Sequence, residues 1–178
     1  MKNKIRRIFF TLTSSLFMSI PVHSIRHLYL KMFIKDMGNN VYIGKHLDIK
    51  SPENIIIGNN VIINKRVLLD GRRDIRIGNN VDIAQDVAVW TEQHDYDNKH
   101  QLVGGPVVIE DYCWLCFRST ILPNVTISKG VVVACSAVVC KSVDELLVVG
   151  GIPARMIRKR SGLLDFTLIY KPRFWDQK

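Results

Sequence analysis

No apolar run in this chain of 178 residues is long enough to cross a bilayer, which takes about 20 residues in helical form. The chain opens like a secretory leader, with charges followed by about a dozen apolar-rich residues, but a small-residue cleavage site is missing, so it is not read as one. Acid is scarce at the same end. Residues 1–36 carry seven Lys and Arg against the single Asp36, so much of the net charge of +9 sits in this segment. Helical periodicity is absent from the middle of the chain, which excludes a helical bundle as the main architecture. The overall composition, 47% hydrophobic and 23% charged, is that of one ordinary domain with short flanks.

In place of the helical period there is a period of six. Between Gly105 and Ser142, Ile109, Leu115, Ile121, Ile127, Val133 and Val139 fall at every sixth position. Six residues are three strand alternations, so these side chains share a face. The pattern predicts a three-sided parallel β-solenoid, whose coils bury their aliphatic residues only by stacking on one another. Upstream, Gly-Asn-Asn-Val recurs at Gly38, Gly58 and Gly78, which reads as an 18-residue coil plus a two-residue bulge. Inward positions there are Met37, Ile43, Ile49, Ile57, Ile63, Leu69, Ile77, Ile83 and Val89. The Gly-Asn-Asn corners suit turns with positive φ, which Gly and Asn adopt at least cost. About five coils are expected over residues 37–144. Residues 94–106 alone are long enough to leave them, and a long loop on a rigid repeat is a usual seat of function.

Residues 1–36 form a basic helical cap in this reading. Ile5, Ile8, Phe9, Leu12 and Leu16 are spaced for one helical face, and a second helix follows Pro21 through Ile25, Leu28, Tyr29, Met32 and Phe33. Such a segment is expected to cover the open end of the solenoid and to touch a membrane surface peripherally. The four cysteines include a CxxC pair, Cys113 and Cys116, followed by Cys135 and Cys140. Positions one coil apart differ by 18, so Cys116 stacks on Ala134 and Cys113 on Val131, and the two pairs are not expected to face each other. Free thiols are expected instead of zinc.

Of five histidines, His94 stands out, at the end of the third coil in the run TEQHDYD, where Asp95 and Asp97 are near enough to orient it as a base. The hexads, this run, PVVIEDYCW, TILPNVTI and VVGGIPARMIRKR together resemble the hexapeptide-repeat acyltransferases over roughly residues 20–175. The likeness is to the branch of galactoside, maltose and capsular or lipopolysaccharide O-acetyltransferases. It implies a left-handed parallel β-helix, a homotrimer with sites between subunits, and acetyl transfer from acetyl-CoA to a sugar hydroxyl. The acceptor would be a surface glycan or its nucleotide-linked or lipid-linked precursor, in the cytoplasm or at the inner face of the plasma membrane, with no metal and no nucleic acid involved. Residue by residue, the resemblance implies that His94 is the general base and that Asn64 and Trp114, with Asp95 and Asp97, line the acceptor side. Phe117 and Cys135 match positions along the pantetheine arm, Cys140 and Lys141 positions further along it. Arg155, Arg158 and Lys159, within the C-terminal turn and tail of residues 145–178, match the groups near the nucleotide phosphates.

The chain departs from the family at Cys116, Phe117, Ser128 and Ser136, which replace small residues of the donor groove. Glycines that let backbone approach a ligand have gained side chains. That leaves two alternatives beside the sugar O-acetyltransferase: a solenoid kept as a binding or scaffold subunit, and an O-acetyltransferase of antibiotics. A related zinc carbonic anhydrase is not expected, because it needs three converging histidines and only His94 and His100 are available.

Overall fold

The computed structural model of the protein describes residues 2–99 and 101–170, with side chains from Ile5 onward, so His100 lies outside the described residues. The chain begins with helices α1 (Lys2–Ser19) and α2 (His23–Lys31), separated at Pro21. They hold each other through aromatic rings: Phe17 stacks on Tyr29 at 4.3 Å between centroids, and Phe10 meets Phe33 at 5.0 Å. Arg26 is fully buried, and its guanidinium donates to the carbonyls of Ile20 and Ile43, which fastens α2 to the first turn of the solenoid. A buried cation is tolerated there because each of these donors meets a carbonyl.

Each turn then lays one strand on each of three faces. The first is β1 (Asp36–Met37), β2 (Tyr42–Ile43) and β3 (Asp48–Lys50), the second β4 (Ile55–Ile57), β5 (Ile62–Ile63) and β6 (Leu68–Asp70), and the third β7 (Ile75–Ile77), β8 (Asp82–Ile83) and β9 (Ala88–Val89). An antiparallel ribbon, β10 (Glu92–His94) and β11 (Leu102–Gly104), interrupts the stack. Winding resumes with β12 (Val107–Ile109), β13 (Trp114–Leu115) and β14 (Thr120–Ile121), then β15 (Thr126–Ile127), β16 (Val132–Val133) and β17 (Val138–Val139). A partial sixth turn starts where Val143 bridges Ile127 and continues in β18 (Leu147–Gly150), on which β19 (Arg155–Lys159) folds back antiparallel. All stacked strands are parallel. The expected solenoid is therefore present, with part of a turn beyond the five coils.

Every inward position read from the hexads is buried. So is a second row two residues earlier, which includes Val61, Val67, Val81, Val87, Cys113, Val131 and Ala137, because alternate residues through each corner still face inward. The two extra residues of the early coils form short 3₁₀ turns at Pro52–Asn54 and Gly71–Arg73. One corner expectation needs correcting. Asn40, Asn60 and Asn80 take positive φ, but Gly38, Gly58 and Gly78 do not. Those glycines are there for space: a Cβ on Gly38 or Gly58 would lie 2.7 Å from the backbone of the glycine stacked on it. The asparagines bond from turn to turn, Asn40 to Asn60 at 2.9 Å and the Asn59 amide N–H to Asn79 at 2.8 Å.

The C-terminal tail runs down the outside of this asparagine corner. Arg160 donates to the carbonyls of Tyr112 and Gly130, Phe166 packs edge-on against Tyr112, and Leu168 exchanges bonds with Asn80 and Asn40. Tyr170 then meets Tyr42 on the first turn, with ring centroids 4.0 Å apart.

Candidate active site

The ribbon that carries His94 is rooted in an ion network. The Asp70 carboxyl is fully buried and receives Arg72 Nε and Nη2 at 2.8 and 2.7 Å. Arg72 Nη1 reaches Glu92 at 2.7 Å, and Arg73 Nε reaches the other Glu92 oxygen at 3.1 Å. Thr91, also buried, donates to the Asp70 carbonyl and accepts from the Arg73 amide. Glu92 opens the ribbon and His94 closes its first strand, so both lie on one face of it, and clamping the first orients the second. His94 pairs in register with Leu102 and is exposed on a cleft of about 430 Å³ with Trp90, Tyr96 and Leu122.

Beyond His94, the Asp95 carboxylate accepts from the Asp97 amide and the Asn98 side chain, both at 2.9 Å, and these bonds hold its pKa below the usual carboxylate range. Asp95 thus shapes the turn of the insertion, while Asp97 is exposed. The return passes Gly104 and Gly105 against the solenoid. A Cβ on Gly105 would sit 1.8 Å from Asn124 Oδ1, so a side chain there would have to displace Asn124.

A second cleft, of about 300 Å³, lies on the face built by β2, β5 and β8. Asn64 donates to Asp82 at 3.2 Å and to the Ile83 carbonyl at 3.0 Å, with Lys45, Lys65, Gln85, Tyr42 and Tyr170 around them. Burial pushes the Asp82 carboxyl up to about 6. Above it in register is Trp114, half exposed, and then Val132 and Val148. Beside that column Cys116 bonds its amide to the Val133 carbonyl, in the register expected, and Cys135 is near enough to act on its thiol. Cys113 is buried and Cys140 exposed, so the two cysteine pairs do not converge as a set. Cys135 lies one residue past the stacked position, at the corner, and is exposed. Burial first, and then the Cys135 thiol, push the Cys116 thiol up to about 11. Cys113 points inward, and burial pushes it up to about 12.

Phe117 is partly exposed at the same edge, under the Arg118 guanidinium. Arg155, Arg158 and Lys159 are exposed on β19 at the top of the same face, and Cys140 and Lys141 are exposed at the corner after β17. The structure thus gathers Asn64, Trp114, Cys135 and the β19 cations along one face. It does not bring His94 to them within one protomer, because the His94 cleft and the Asn64 cleft share no lining residue. Among the described residues no three metal-ligating side chains converge.

Sequence reasoning missed Asp82 and the Asp70–Arg72–Glu92 network. Asp82 occupies an outward strand position that reads as solvated. The network joins residues from two successive turns at a corner, where only the 20-residue spacing signals contact.

No family model matches the chain. It is 29% identical over 136 residues, 76% of this chain and 75% of the relative, to the Escherichia coli K12 protein named as colanic acid biosynthesis acetyltransferase WcaF. Among solved structures it is similar to the hexapeptide-repeat acetyltransferase VCA0836 of Vibrio cholerae complexed with acetyl-CoA, with 27% identity, a TM-score of 0.82 and coverage of 89% of both chains. A maltose O-acetyltransferase from Clostridium difficile superposes with a TM-score of 0.81 at 26% identity, over 90% of this chain and 89% of the other.

Proposed function

The chain belongs to the hexapeptide-repeat acetyltransferase family, and from that premise we propose that it carries the acetyl group of acetyl-CoA to a sugar hydroxyl of a surface polysaccharide or its precursor. The observation that carries this reading is the histidine on the ribbon that interrupts the stack, held from below by two arginines on Glu92. His94 takes the proton of the acceptor hydroxyl as its oxygen attacks the thioester carbonyl. The C–S bond then breaks, and the imidazolium returns the proton to the departing CoA thiolate. The relatives named for colanic acid biosynthesis and for maltose O-acetylation support a sugar as the acceptor.

The donor would run along the face that holds Trp114, Phe117 and Cys135, with its phosphates toward Arg155, Arg158 and Lys159 and with Cys140 and Lys141 alongside. Asn64, with Asp82 below Trp114, would hold the sugar. Because the two clefts of one protomer share no residue, we propose that a homotrimer brings His94 of one subunit to this face of the next. The Cys116 thiol, pushed up to about 11, stays protonated at neutral pH and does not compete for the acetyl group. Asp95 supports His94 through the fold of the loop, and Asp97 faces the acceptor from it. The protein would work in the cytoplasm against the inner face of the plasma membrane.

The test is thiol release from acetyl-CoA with a panel of glycans, nucleotide sugars and lipid-linked sugars. Acceptor-dependent release with at least one of them is expected. Tight CoA binding with no release for any acceptor would replace the enzyme by a scaffold.

A further inference from the structure

The helical pair covers the first turn with one face and leaves another uncovered. Along α1, Ile5, Ile8, Phe9, Leu12 and Leu16 are exposed, Leu12 by 78% and Leu16 by 67%. At 100° per residue these five fall within an arc of about 100°, adjacent to the arc of Phe10, Thr13 and Phe17 that packs on α2. On α2 and its C-cap, Ile25, Leu28 and Met32 are exposed at a spacing of three and four, again on one side. α1 lies against β3 and α2 against β2, so both helices spend their packed faces on the solenoid and on each other. An apolar stripe this long is more than scattered surface hydrophobics.

Its charge setting identifies what covers it. Residues 1–35 contain seven Lys and Arg and no acid, and they account for most of the net charge of +9. Arg6, Arg7, Lys31 and Lys35 are exposed in this segment, with Arg6 and Arg7 on the side of α1 toward Phe10, Phe33 and Glu53. Arg7 reaches Glu53 at 3.3 Å, and Arg6 lies over the Phe33 ring. A second copy offers poor cover, since stripe on stripe would bring like charge together and the remainder of the chain carries no acidic excess. We infer that the α1–α2 pair docks flat on an anionic lipid bilayer, with the Ile5–Leu16 and Ile25–Met32 stripe among the acyl chains and the exposed Lys31 and Lys35 at the headgroups. The inference deepens the location proposed with the function, and it stands or falls independently of acetyl transfer.

Flotation of the full chain with vesicles decides it. The protein should float with phosphatidylcholine containing phosphatidylglycerol, and weakly with phosphatidylcholine alone. Leu12→Glu with Leu16→Glu should abolish flotation, and Leu12→Ser with Leu16→Ser should weaken it by about tenfold. Lys31→Glu with Lys35→Glu should lower binding by about fivefold per site at low salt. Both leucines point away from the packed face, and unchanged melting of the variants together with unchanged CoA binding would show that the fold and donor site are intact. The inference is overturned by absence of flotation with the anionic vesicles, by equal flotation with phosphatidylcholine alone, or by retention in the double glutamate variant. A change of oligomer mass in that variant would equally overturn it, making the stripe a contact between copies.

Discussion

Asp82→Asn isolates the one carboxyl on the proposed acceptor face that burial perturbs most. The substitution keeps the shape and an oxygen that still accepts from Asn64, and it removes only the charge. In the fold the group titrates near 6, against 3.8 ordinarily, so the ionised form is disfavoured by the folded state. Below 3.8 the carboxyl is protonated in both states and contributes no difference. As pH rises from 4 to 6 the unfolded chain loses this proton first, and stability falls until ionisation is complete in both states. The full penalty is about 3 kcal/mol, and access of water from the open cleft reduces it to about 1–2 kcal/mol. Urea unfolding at one protomer concentration should therefore find the two proteins nearly equal at pH 4 and Asp82→Asn more stable by about 1–2 kcal/mol at pH 8. A gap independent of pH, or a less stable variant at pH 8, would refute burial as the cause.

His94→Ala is expected to lower kcat by about 10²–10⁴-fold while CoA affinity, measured by calorimetry, stays unchanged; near-full turnover would remove His94 as the base. Arg72→Ala strands the fully buried Asp70 carboxyl, and a loss of about 3–5 kcal/mol is expected by denaturant unfolding, largely recovered when Asp70→Asn is added. Gly105→Ala drives a methyl into Asn124 Oδ1 and should cost about 1–3 kcal/mol, and Asn124→Gly in the same chain should restore most of it, which a thermal melt reads directly.

The solenoid was legible because its signal is repeated. One hexad proves little, but Ile57, Ile63, Leu69 and their successors impose the same inward face turn after turn, and a shift of one residue would turn every one of them outward. The second buried row escaped notice because Val61 and Val67 repeat at the same period as the first row and add no new frequency to the pattern. The Gly-Asn-Asn corner was located for a partly mistaken reason. Asparagine supplies the positive φ, and glycine supplies the room that a Cβ would fill, since one there would lie 2.7 Å from the next turn's backbone, a requirement set by stacking and invisible in a single turn.

The candidate site divides along the same line. His94 could be found because it stands where the repeat stops, and interruption of a period is itself a sequence signal. The groups that hold it could not, because Asp70 and Arg72 close one turn and Glu92 leaves the next, so their contact exists only once the turns have stacked. Asp82 is the sharper case. Asp82 alternates with inward Ile83 as any solvated strand residue does, and only the neighbours at Asn64 and Trp114 make it half-enclosed. A residue whose chemistry depends on the turn below and the turn above is a property of the stack. His94 and Asn64 lie in separate clefts of one protomer, and the proposed trimer is the arrangement that would bring them to one site.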